Sequence, residues 1–165
     1  MKIFATLVVA LCIVLGTVQS ADMPSVQRPD GSSVDVMQLS RTHPVVVVRY
    51  LGYRCEHCVR QILLLNKNAA RLKEKGAIVV GISNDPPFRN VEAEQELKLD
   101  TATIRLASDT AGAFAHSIGA RIDERDGTTT DLHATIVLRQ GRIVFEKLGT
   151  TPYMDVERIL KALEE

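Results

Sequence analysis

The chain reads Val-Val-Val-Val at residues 45 to 48, and a second apolar run, AIVVGIS, begins at Ala77. Short runs rich in β-branched residues and bounded by turn formers predict strands buried on both faces. Between them Val59, Ile62, Leu63 and Leu72 recur at helical spacing; Lys73, Lys75 and Gly76 supply a basic last turn and a stop. After the turn NDPP, VEAEQELKL predicts a polar helix, TIRLASD a short strand, and TAGAFAHSIG a short helix closed by Gly119. RIDERDGTTTD predicts a long polar loop. HATIVLRQGRIVFEKLG predicts a hairpin around Gln140-Gly141, and DVERILKALEE an amphipathic helix with Val156, Ile159, Leu160 and Leu163 on one face. Upstream of the valine run, RPDGSS marks a turn and VDVMQL alternates briefly. The order β-α-β-α-β-α-β-β-α predicts an α/β domain, a central sheet with helices on both faces.

The first 20 residues break this pattern. Lys2 precedes an almost wholly apolar run from Ile3 to Leu15, and Val18 and Ser20 satisfy the small-residue rule for cleavage before Ala21. The run is shorter than the roughly 20 residues a membrane span needs. We therefore expect a cleaved signal peptide at 1–20 and one domain at 21–165, long enough for a proper core. The exported protein would be periplasmic or extracellular and keep no integral membrane span. Twenty basic and twenty acidic residues balance to a formal net charge of zero, so neither nucleic acid nor an anionic membrane surface is an expected partner.

Signal removal also changes the cysteine arithmetic. Of three cysteines, Cys12 lies in the apolar run, so the mature chain would keep only Cys55 and Cys58 in RYLGYRCEHCVRQ. A scaffold of disulfides in an oxidising compartment would need cysteines spread along the chain. A pair closing so small a loop restrains little unfolded-chain entropy, so chemistry is the expected use. The reactive species is the thiolate; the positive end of a helix N-terminus favours it, as do Arg54, His57 and Arg60, while Glu56 opposes them. A second thiol within reach allows the oxidised sulfur to resolve as a Cys55–Cys58 disulfide before irreversible oxidation.

Strand, CxxC, long helix, closing hairpin and final helix together resemble the thioredoxin-like fold, with a central mixed β-sheet. Within it, DGSSVDVMQLSRTHPVVVVRYLGYRCEHCVRQ, AIVVGISND, LASDTAGAFAHSIGA and HATIVLRQGRIVF resemble the peroxiredoxin-like AhpC/TSA (redoxin) proteins. The resemblance implies an antioxidant thiol-dependent oxidoreductase that needs no bound cofactor. It would take hydroperoxide or a protein disulfide as substrate and a thioredoxin-like protein as reductant. Counted from Tyr50, the peroxiredoxin motif PxxxTxxC places the attacking sulfur at Cys58, with Cys55 on the threonine and Leu51 on the proline. The thioredoxin motif instead makes Cys55 the nucleophile, with Arg54 replacing the usual tryptophan. Ahead of the strand ATIVL, where peroxiredoxins carry an activating Arg and thioredoxins a cis-Pro, this chain has His133.

His133 is accordingly the third candidate catalytic residue, as a general acid or base, against a packing role. His57 is a candidate tuner of thiol acidity, His43 has no assigned role, and His116 is expected to be structural. Asp85, Asp109 and Asp123 fit caps and solvated loop positions. The alternative to an enzyme is a copper site: DLHATIVL resembles the segment of Sco-type metallochaperones in which a His joins two thiolates. Cys55, Cys58 and His133 would then hold copper, although those chaperones space their cysteines as CxxxC. A redox-dead binding domain on the same fold is the third possibility.

Overall fold

A computed structural model describes residues 23–165; the expected signal peptide lies outside the described residues. Two short strands open the domain, β1 (Val26–Gln27) and β2 (Ser33–Val34), followed by the one-turn helix α1 (Val36–Leu39). Asp35 caps that helix by accepting the Gln38 N–H at 2.8 Å, so VDVMQL is a strand end followed by a helical turn. Then come β3 (Val45–Arg49), α2 (Glu56–Lys67), α3 (Ala69–Glu74), β4 (Ile78–Ser83), α4 (Pro87–Glu96), β5 (Ile104–Ser108) and α5 (Ala113–Ser117). The chain closes with β6 (Arg121–Asp123), β7 (Thr129–Asp131), β8 (His133–Arg139), β9 (Arg142–Gly149) and α6 (Val156–Ala162).

Seven strands form one mixed sheet in the order β2-β1-β5-β4-β3-β8-β9. β3, β4 and β5 run parallel, and β8 returns antiparallel to β3 in the register Val47↔Ile136. Alternation along the strands divides the core. Val46, Val48, Tyr50 and Val137 pack with α2, α3, α4 and α6, through Ile62, Leu72, Ala93 and Ile159 among others. Val45, Val47, Ile136 and Leu138 face the opposite side, under Val36 of α1 and Phe114 of α5. This is the thioredoxin-like α/β architecture, a central mixed sheet with helices on both faces.

Two expectations are corrected by the structure. RIDERDGTTTD is not an open loop: β6 and β7 pair antiparallel around a turn in which Asp126 accepts from Thr128 and Gly127 takes φ +83°. Both strands are largely exposed, so the apolar alternation that betrays a half-buried strand is missing. On α2 the buried positions are Cys58, Gln61, Ile62 and Leu65, and the helix breaks at Asn68 before α3. Val59 and Leu63 lie only partly buried at its flanks. The Gln140-Gly141 turn forms as expected, both residues at positive φ as a two-residue type I′ hairpin requires. Among the described residues no helix is long and apolar enough to cross a membrane.

Candidate active site

The parallel strands end on one edge of the sheet, and the loop leaving β3 carries the cysteines there. Gly52 turns that loop at φ +116°, and a Cβ at that position would stand 3.0 Å from the Asp85 carboxylate. The same carboxylate accepts the Tyr53 N–H at 2.6 Å, so Asp85 anchors the loop from the end of β4. Cys55 then caps α2: its carbonyl receives the Val59 N–H at 3.0 Å, and Cys58 sits in the first turn. There the unpaired N–H groups and the positive end of the macrodipole favour a thiolate when the pair is reduced.

Cys55 and Cys58 are joined as a disulfide, their Cα atoms 5.2 Å apart. The two sulfurs are unequally placed. Cys58 is fully buried, whereas Cys55 is half-buried and lines a cavity of about 470 Å³ with Leu51, His57, Arg60, His133 and Met154. Leu51 and Met154 give the cavity an exposed apolar rim. Arg60 is mostly exposed and lies 3.9 Å from Glu56, which offsets its charge; Arg54 and His57 are exposed too.

His133 opens β8 on the face shared with Thr135 and Val137, the face covered by α2. Its ring is buried, and Nε2 stands 3.1 Å from Cys58 Sγ. A disulfide sulfur carries no proton, so in the oxidised protein this hydrogen bond requires the proton on Nε2. Nδ1 is buried without a well-formed partner. Burial, then the positive charge of Arg49, holds the ring below its ordinary pKa, against backbone contacts with Thr150 and Gly149. A neutral imidazole beside the buried sulfur is the result. One helical turn on, Gln61 donates at 2.8 Å to Thr135 Oγ1 and at 2.8 Å to the Tyr153 carbonyl, tying α2 to β8 and to the segment after β9.

The structure thus brings Cys55, Cys58 and His133 together, with one donor atom from each within 4.8 Å of the others. His116 is exposed, 3.8 Å from Asp123, and lies outside the site. Asp109 caps α5 by accepting from Phe114 and Ala115. Sequence reasoning missed Gly52, Gln61 and Arg49. A charged residue ending an otherwise apolar strand was the one available signal for Arg49.

Among solved structures, the peroxidoxin BcpB of Mycobacterium tuberculosis is similar at TM-score 0.73 and 22% identity, over 85% of this chain and 90% of that one. The Xanthomonas campestris bacterioferritin comigratory protein, described for its alkyl peroxide reduction activity, gives TM-score 0.74 at 16% identity over 88% and 92%. Reduced Prx3 of Vibrio vulnificus in complex with hydrogen peroxide gives 0.71 at 19%, over 87% and 93%. Comparison with curated proteins found no match. The peroxiredoxin likenesses carry the fold, and the sequence itself matches the family model for Redoxin over residues 19–163: this chain belongs to the Redoxin family of thiol-dependent oxidoreductases.

Proposed function

We propose that the protein is an exported, peroxiredoxin-like thiol peroxidase that cycles Cys55 and Cys58 between dithiol and disulfide. The observation that carries this reading is the His133 imidazole, whose Nε2 stands 3.1 Å from Cys58 Sγ, within reach of that thiol's proton; Cys55, on the cavity, is the sulfur open to a reductant. In the reduced protein the Cys58 thiol gives its proton to neutral His133. The thiolate attacks one peroxide oxygen, the O–O bond breaks, and the other oxygen leaves as an alkoxide that takes up a proton. Cys58 is then a sulfenic acid. The Cys55 sulfur displaces its hydroxyl as water, and the disulfide forms. A thioredoxin-like dithiol, entering from the cavity, attacks the accessible Cys55 and expels Cys58 as a thiolate beside His133 and the helix N-terminus; its second thiol then breaks this mixed disulfide, releasing Cys55 and leaving the reductant as a disulfide. The sulfurs carry both electrons, so no bound cofactor takes part in the cycle.

An imidazole cannot stabilise the attacked peroxide as a permanent guanidinium does, so this site should be a slower peroxidase than one carrying the family's Arg. The assignment of the sulfurs is tested by serine substitution. After peroxide treatment Cys55→Ser should accumulate a trappable sulfenic acid, and Cys58→Ser should not. The reverse result would make Cys55 the nucleophile and a protein disulfide the substrate.

A second reading is favoured by the three donor atoms within 4.8 Å of one another. On reduction, two thiolates and an imidazole at that spacing fit Cu(I) or Zn(II), and a Sco-like metallochaperone would carry copper there as cargo. Peroxide consumption and Cu(I) binding, measured on the same reduced, metal-free protein, separate the two. Tight copper binding without peroxide turnover would establish the carrier.

A further inference from the structure

Arg49 ends β3 with its side chain fully buried, on the face of the sheet opposite Cys58 and His133. Its guanidinium donates to the Tyr50 carbonyl, to Asn84 Oδ1 at 3.1 Å and to Asp131 Oδ1 at 3.1 Å. Each acceptor leads into the site by a different route. Tyr50 begins the loop that reaches Cys55. Asn84 adjoins Asp85, whose carboxylate holds the Tyr53 N–H of that loop at 2.6 Å. Asp131 ends β7, two residues before His133.

Burying a guanidinium carries a large desolvation penalty before its partners are counted, and an apolar side chain of similar volume would fill the space without it. What an apolar side chain cannot do is bond three acceptors arriving from three separate strand ends. The planar fork of Arg suits this task, and the point charge of Lys does not. We infer that Arg49 is a positioning residue, holding the His133 segment and the cysteine loop at their mutual distance from beneath the sheet. It touches neither sulfur and acts on His133 through Asp131. The inference rests on the reading of Cys58 and His133 as the reacting pair.

The test uses the rate at which hydrogen peroxide converts the reduced protein to the disulfide. The Asp131 side chain is 29% exposed, so its substitution spares the core. Asp131→Ala should slow the reaction roughly fivefold, the scale of coupling between residues that act through one another. Asp131→Asn, which keeps an oxygen for the guanidinium, should restore most of the rate. In a His133→Ala background, Asp131→Ala should slow nothing further. Arg49→Lys, if it folds, should match Asp131→Ala; a wild-type rate there would overturn the inference. Equal slowing by Asp131→Ala in both backgrounds, or an Asp131→Asn as slow as Asp131→Ala, would also overturn it. If His133→Ala alone oxidises at the wild-type rate, the functional reading falls, and the inference with it.

Discussion

At the scale of single residues, the proposed chemistry turns on one imidazole, that of His133, held below its ordinary pKa. Burial is the first cause, and the Arg49 charge adds to it. A ring neutral near pH 7 can accept the Cys58 proton, and His133→Ala should slow thiol oxidation by up to about a hundredfold, the lower end of what a positioned base contributes. The same depression links stability to pH. Below the ordinary value of 6.5 the unfolded chain binds a proton that the folded ring resists. The contribution of His133 to stability is therefore complete above about pH 6.5 and lost as the pH falls through the folded value. Urea midpoints followed from about pH 7.5 to pH 5 should fall more steeply for the wild type than for His133→Gln. Parallel curves would show that the folded ring takes up its proton as readily as the unfolded one.

At the scale of elements, what holds the site is a set of loop ends and caps. Gly52 adopts a backbone conformation nearly confined to glycine, with the Asp85 carboxylate where a Cβ would project. Gly52→Ala should cost roughly 1–3 kcal/mol in denaturant unfolding and displace the cysteine loop. Asp155 accepts the Arg158 N–H at 2.9 Å at the start of α6, and Asp155→Ala should cost about 1 kcal/mol with the redox reaction unchanged. These particulars also show what the amino-acid pattern could reveal. Val45–Val48 and Ile78–Ser83 were legible because strands buried on both faces must be continuously apolar. The β8–β9 hairpin announced itself through Gln140-Gly141, and the cluster of Cys55, Cys58 and His133 through CxxC and an isolated His before a strand. The buried stripe of α2 was hidden because Gln61 belongs to it, and a buried amide makes sense only once Thr135 and Tyr153 arrive to bond it. The partners of Arg49 were hidden for the same reason: Asn84 lies 35 residues away in sequence and Asp131 lies 82.

At the scale of the whole molecule, a redox pair must open and close without the fold depending on it, and the architecture meets that demand. Both faces of the sheet are covered by closely packed apolar clusters, to which Cys58 contributes one side chain among many. The disulfide closes a loop of sequence separation 3. In the chain-entropy description so short a loop is worth about 2 kcal/mol, against nearly 5 for one of a hundred residues. Reduction should therefore lower the unfolding free energy by no more than about 2 kcal/mol and leave a cooperative transition. Guanidinium unfolding of the oxidised and the reduced protein, the latter kept under excess dithiol, measures the difference directly. Thiol labelling of the same samples should show two thiols appearing together on reduction and vanishing together after peroxide. Loss of the cooperative transition on reduction would make the bond a structural staple. A small loss with reversible closure is what a pair built to turn over requires, because the fold that places His133 against Cys58 must survive the dithiol state in which that contact is proposed to act.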